Sequence, residues 1–152
     1  MTVQNISDIH DIMSRSEAAI LSTVDENGFP ATRAMLNLRN KSAYPSLVDF
    51  LSETNMIYFT TNTSLSKIRQ LRNNPKGCVY FVLPQEFSGV TIQGTLEIVT
   101  DRSLKSTLWQ KTWTMYYPEE IDDPEYTIFR LKPLTIKGYR QLSFFTISPE
   151  EL

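Results

Sequence analysis

The stretch Ala18-Ala19-Ile20-Leu21-Ser22-Thr23-Val24-Asp25-Glu26-Asn27-Gly28-Phe29-Pro30-Ala31-Thr32-Arg33-Ala34-Met35-Leu36 reads as a β-hairpin. Asn27-Gly28 supplies the positive φ that a tight connection needs, and strand-forming runs flank it. The return strand extends from Pro30 to Arg39. Its period-two alternation sets Ala34, Leu36 and Leu38 on one face as core, with Arg33, Met35, Asn37 and Arg39 on the other.

Further strands follow on both sides of a few helical patterns. Upstream, Ile6, Ile9, Ile12 and Met13 recur at helical spacing, which predicts a short amphipathic helix covering a sheet. Downstream, residues 40–55 read as a loop with a short helix around Leu47, Phe50 and Leu51. Strands are expected over 56–61, 77–83 and 89–100, and Gly94 inside the last marks a bend or a close backbone approach. Asp101 caps a helix running to about Tyr116, with Trp109 and Trp113 on one face. Three short strands, 126–132, 134–139 and 142–147, close the chain. Many hairpin-linked strands with few helices point to a mainly β fold, an antiparallel barrel with flanking helices, in a single domain over 1–152.

Composition excludes several functions. With 41% hydrophobic and 21% charged residues in 152, the chain has an ordinary globular balance and enough length for its own core. A net charge of -2 gives no footprint for nucleic acid. The start has no secretory pattern, and no apolar run approaches a membrane span, so a soluble cytoplasmic protein is expected. The single histidine, His10, reads as a solvated helix residue, and the single cysteine, Cys78, as a buried core thiol. Metal sites and histidine-based catalytic pairs therefore lack support, and any chemistry calls for a borrowed cofactor.

The segment most informative for function is Phe59-Thr60-Thr61-Asn62-Thr63-Ser64-Leu65-Ser66-Lys67-Ile68-Arg69-Gln70-Leu71. A strand ends in small polar residues and a helix begins near Ser64, with Leu65, Ile68 and Leu71 as its buried stripe. Lys67 falls in the first turn, where the positive end of the helix disfavours a cation. An anion at the helix start would reverse that cost, and a phosphate fits. The residues alone leave a second reading open, a Ser-capped surface helix with Lys67 in water.

Together, Phe59-Thr60-Thr61 with Ser66-Lys67, Leu71 and Asn74-Pro75, the strand Pro30 to Met35 after Asn27-Gly28, and the ending Asp122 to Tyr126 with Phe129 to Pro133 resemble the pyridoxamine 5′-phosphate oxidase-like split barrels, in their short general-stress-protein branch. That resemblance implies flavin mononucleotide (FMN) at the interface of a homodimer. It implies that Lys67 and Ser66 bind the flavin phosphate with Arg33 as a second cation. The backbone of Arg33, Ala34, Met35 and Leu36, and of Thr60 and Thr61, would meet the polar edge of the ring. Gln93 would reach the flavin from the same or the partner subunit, or stay a solvated strand residue. Trp113 would approach the ring of the partner's flavin, and Trp109 would pack. The implied activity is electron transfer between a reduced nicotinamide or deazaflavin donor and a small acceptor; the alternative is non-catalytic binding of flavin or haem. No side chain stands out as a catalytic acid or base. The connection from Arg39 to Met56 is longer than the family's usual hairpin, and no basic tail follows Arg140, so efficient oxidation of pyridoxamine 5′-phosphate is not expected.

Overall fold

In the computed structural model, which describes residues 3–152, the first hairpin forms as its sequence dictates. Ala18–Val24 (β1) runs against Pro30–Leu36 (β2), from the pair Ala18↔Leu36 to Val24↔Pro30. Asp25 closes the turn, its Oδ1 accepting from the amides of Asn27 and Phe29 at 2.9 Å each, and Gly28 takes φ +83°.

Five more strands complete one antiparallel sheet: Ile57–Asn62 (β3), Lys76–Leu83 (β4), Ser88–Val99 (β5), Tyr126–Arg140 (β6) and Ser143–Ile147 (β7). The order is β2-β1-β4-β5-β6-β3, with β7 beside the second half of β6. The sheet curls until its end strands, β2 and β3, border one cleft. The fold is a split β-barrel with flanking helices, mainly β as the alternation predicts.

Two apolar clusters hold it. Val3–Arg15 (α1) presents Ile9, Ile12 and Met13, and Ser66–Asn73 (α3) presents Ile68 and Leu71, to the barrel core of Leu21, Phe59, Phe81, Ile92 and Phe129. Phe59 and Phe129 stack at 4.9 Å. On the other side of β3, Val48–Ser52 (α2) and Arg102–Leu108 (α4) cover Tyr58, Trp113, Tyr117, Tyr126 and Ile128. β3 is therefore buried on both faces, which fixes its position to within the packing of large side chains worth ~1.5–3 kcal/mol each.

Several expectations are corrected. β2 ends at Leu36, and its faces are the reverse of those predicted: Met35 enters the core, while Ala34 and Leu36 are exposed. Alternation gives two faces without saying which is inside, and the exposed small face here borders the cleft. Asn37 leaves the strand to donate to the carbonyls of Met13 and Ser16 at 2.8 Å, beneath the end of α1. The helix after Asp101 stops at Leu108, and Trp113 lies in a separate 3₁₀ turn, Lys111–Met115. Trp109 still meets Trp113 edge to face at 5.9 Å. Pro133 does not divide β6, because a register shift at Gln93/Gly94 accommodates the missing amide. A side chain at Gly94 would sit 2.0 Å from the Lys132 carbonyl oxygen, so the close approach read from sequence is real. Leu65 is exposed at 47% rather than part of a stripe. His10 is half-buried rather than solvated, and Cys78 is only half-buried, with its thiol pKa pushed up by burial.

Candidate functional site

As end strands, β2 and β3 leave alternate backbone N–H and C=O groups without strand partners on their outer sides. The cleft between them encloses about 430 Å³, within the range of small-molecule sites. Ala34, Met35 and Leu36 form one wall, and Thr60, Thr61 and Asn62 the other. Trp113 closes one side as a fully buried ring, with Tyr116 and Tyr117 beside it. The Tyr117 hydroxyl lies 3.3 Å from Thr60 Oγ1, and burial raises its pKa. Glu17 and Ala18 complete the lining.

Lys67 enters this cleft from the first turn of α3. Its Nζ donates to Thr61 Oγ1 at 2.9 Å. Burial, and then the charge of Arg33, push its pKa below the ordinary lysine value. Arg33 projects from β2 behind it, donating from Nη1 to Thr23 Oγ1 at 2.8 Å and from Nη2 to Gln70 Oε1 at 3.1 Å. Burial lowers the Arg33 pKa as well. Among the described residues neither cation has a carboxylate partner. Two half-buried like charges thus sit together at a helix start whose first amides lack intrahelical acceptors, an arrangement that an anion would relieve.

The structure thus brings Ala34, Met35, Leu36, Thr60, Thr61, Lys67 and Trp113 into one cleft, with Arg33 next to Lys67. Ser66 opens α3 but is exposed and absent from the lining. Leu65, not a serine, precedes the helix, and no side chain caps it. The Ser64 amide and hydroxyl donate to Glu125 at 3.1 and 3.0 Å, and the Thr63 hydroxyl donates to the Pro124 carbonyl at 2.8 Å. Gln93 lines a different cleft, of about 460 Å³, where Thr135 donates to it at 3.2 Å. Trp113 lines the cleft of its own chain. Sequence reasoning missed Thr23 and Gln70, which hold Arg33. Gln70 is one turn beyond Lys67 on the same helix, and that spacing was the available signal. Tyr116 and Tyr117 carried none, since the helix expected there does not form.

The sequence matches the model of a protein family described as pyridoxamine 5′-phosphate oxidase over residues 7–140. The chain belongs to that family. A protein from Clostridium acetobutylicum, described as related to general stress protein 26 of B. subtilis, has a solved structure similar to this one. It is 29% identical, 99% of each chain is covered, and the TM-score is 0.79. A heme binding protein from Mycobacterium smegmatis shares the fold at 12% identity, with 99% of this chain and 60% of that one covered and a TM-score of 0.71. An FMN binding protein from Nostoc punctiforme, related to pyridoxamine 5′-phosphate oxidase, shares it at 16% identity, with 96% and 94% covered and a TM-score of 0.58. No curated protein matches the sequence. No helix among the described residues is long and apolar enough to cross a membrane.

Proposed function

We propose that this member of the pyridoxamine 5′-phosphate oxidase family binds FMN in the β2–β3 cleft, as a cytoplasmic homodimer, and works as a flavin-dependent oxidoreductase on a small molecule. The observation that carries this reading is the Arg33–Lys67 pair, two cations without a carboxylate beside two free sheet edges. Lys67 and Arg33 would hold the phosphate. The outer backbone groups of β2 and β3 would hydrogen-bond the polar edge of the ring, and Met35 and Trp113 would exclude water from it. Bound flavin supplies the electron transfer, and the protein supplies orientation and charge. Because Gln93 lies outside its own chain's cleft, it would serve only the partner's site. Exposed Phe29, Leu36 and Leu134 are apolar surface for such a partner.

Arg140 is engaged by Asp8 and Asp11, so it is not free to hold a substrate phosphate. Haem is the occupant to test against flavin, given the described Mycobacterium smegmatis neighbour and the two phenols, Tyr116 and Tyr117, in the cleft.

The visible spectrum of purified protein, before and after adding FMN, tests the reading. Flavin bands that bleach anaerobically with NADH or NADPH support it. A Soret band with no flavin uptake supports haem instead, and bound flavin that neither a nicotinamide nor a reduced deazaflavin reduces leaves a binding protein.

A further inference from the structure

A second cationic pocket lies outside the flavin cleft, where the chain leaving β2 passes between α1 and α2. It encloses about 410 Å³ and shares no lining residue with the β2–β3 cleft. Its frame is held firmly: Asn37 is bonded beneath α1, and the Lys41 amide donates to the Ser14 carbonyl at 3.1 Å. Arg39 lines the pocket. Its Nη2 donates to the backbone carbonyls of Thr54 and Met56 at 2.9 and 2.8 Å. Its Nε is buried and has no hydrogen-bond partner among the described residues.

A guanidinium so placed is costly, because carbonyl dipoles replace its water but, among the described residues, no carboxylate pairs with it. Burial draws its pKa down to about 10, so it stays charged at neutral pH. Lys41 and His10 line the same pocket. The one carboxylate there, Asp11, is committed elsewhere, accepting from Arg15 and from Arg140 at 2.9 Å each. Met13 and Leu51 give the pocket an apolar floor.

We infer that this pocket binds a small oxyanion, a carboxylate or phosphate monoester with a short apolar body, through Arg39 and Lys41. The anion supplies the charge that Arg39 lacks, and the apolar body packs on the exposed side chain of Val48, above a floor of Met13 and Leu51. His10 reports the event. It faces Arg39 and Lys41 from the connection, Asp11 on its own helix, and the Leu152 carbonyl. Burial and the Arg39 charge hold its pKa below the ordinary histidine value, while the Leu152 hydrogen bond opposes them. A bound anion stabilises the imidazolium, so occupancy raises the His10 pKa, and binding tightens as pH falls.

His10 is the only histidine, so one ring signal in the NMR spectrum of tag-free, FMN-saturated protein follows the pocket. Phosphate, acetate and benzoate are titrated against chloride at equal ionic strength. A saturable shift of His10, strongest for benzoate if the body matters and for phosphate if the charge dominates, with a raised His10 pKa at saturation, supports the inference. Arg39→Met should abolish the response, but that variant also releases two carbonyls. Lys41→Gln, whose side chain is exposed, keeps the fold and should bind about threefold to fivefold more weakly, as expected for losing one exposed charge partner. Lys67→Ala should leave the His10 titration unchanged. A shift that chloride reproduces, or one that Lys67→Ala removes, overturns the inference.

Discussion

Arg15 and Arg140 differ from Arg33 and Lys67 in what neutralises them. Arg15 meets Asp11 at 2.9 Å and Glu86 at 2.6 Å, and Arg140 meets Asp11 at 2.9 Å and Asp8 at 3.3 Å. That network ties α1 to the β4–β5 connection and to the end of β6. The Arg15 hydrogen bond, helped by Arg140, holds the Asp11 carboxyl down at about 2. Arg33 and Lys67 instead see hydroxyls, an amide and one another, and both are held below their ordinary values. The first set spends its charge on the fold. The second has no carboxylate to meet it among the described residues.

That contrast can be broken in order of expected size. Neutralising Lys67 and the Arg33 behind it, in Arg33→Met/Lys67→Met, should weaken FMN by ~3 kcal/mol or more, two charge-assisted bonds being lost. The melting temperature of the flavin-free protein should not fall, because two like charges are removed; a drop of several degrees would make these cations structural and erase the distinction. Asp11→Asn should do the opposite, leaving FMN affinity intact while lowering stability by roughly 1 kcal/mol, discounted for a carboxylate 38% exposed. Its pH signature has a definite sign. The folded pKa is depressed, so the contribution is present above ~4, the unfolded value, and disappears as pH falls toward about 2. Urea melts of wild type and Asp11→Asn should therefore converge across that window, and parallel curves would remove Asp11 from the network. Arg102→Gln is the smallest case. The Arg102–Asp122 pair is solvent-exposed at both ends, and its loss should leave the thermal midpoint where it is.

Much of the sheet was legible because hairpin chemistry and alternation are local. Gly28 had to turn, Gly94 had to admit a carbonyl, and β1, β3 and β5 lie where their apolar periods put them. Which face of β2 points inward was not legible. Ala34 and Leu36 look like core residues, yet they border a cleft, and the cleft exists only once β2 and β3 meet across the curled sheet. Lys67 was readable as an oddity at a helix start, but its closeness to Arg33 is long-range and came only with the family resemblance, not from any local signal. Gln93 went the other way. Its strand and outward face were legible, and in its own chain it lines a different cleft.

The central claim is that the charge at Lys67 is kept for a phosphate, and paired flavin titrations test it most directly. Quenching of FMN and riboflavin fluorescence is measured with wild type and Lys67→Ala. FMN should weaken by ~1.5–3 kcal/mol in the variant, the range for a charge-assisted bond. Riboflavin, which has the ring but no phosphate, should lose far less. Equal losses for the two ligands, or no binding of either by the wild type, would contradict the account.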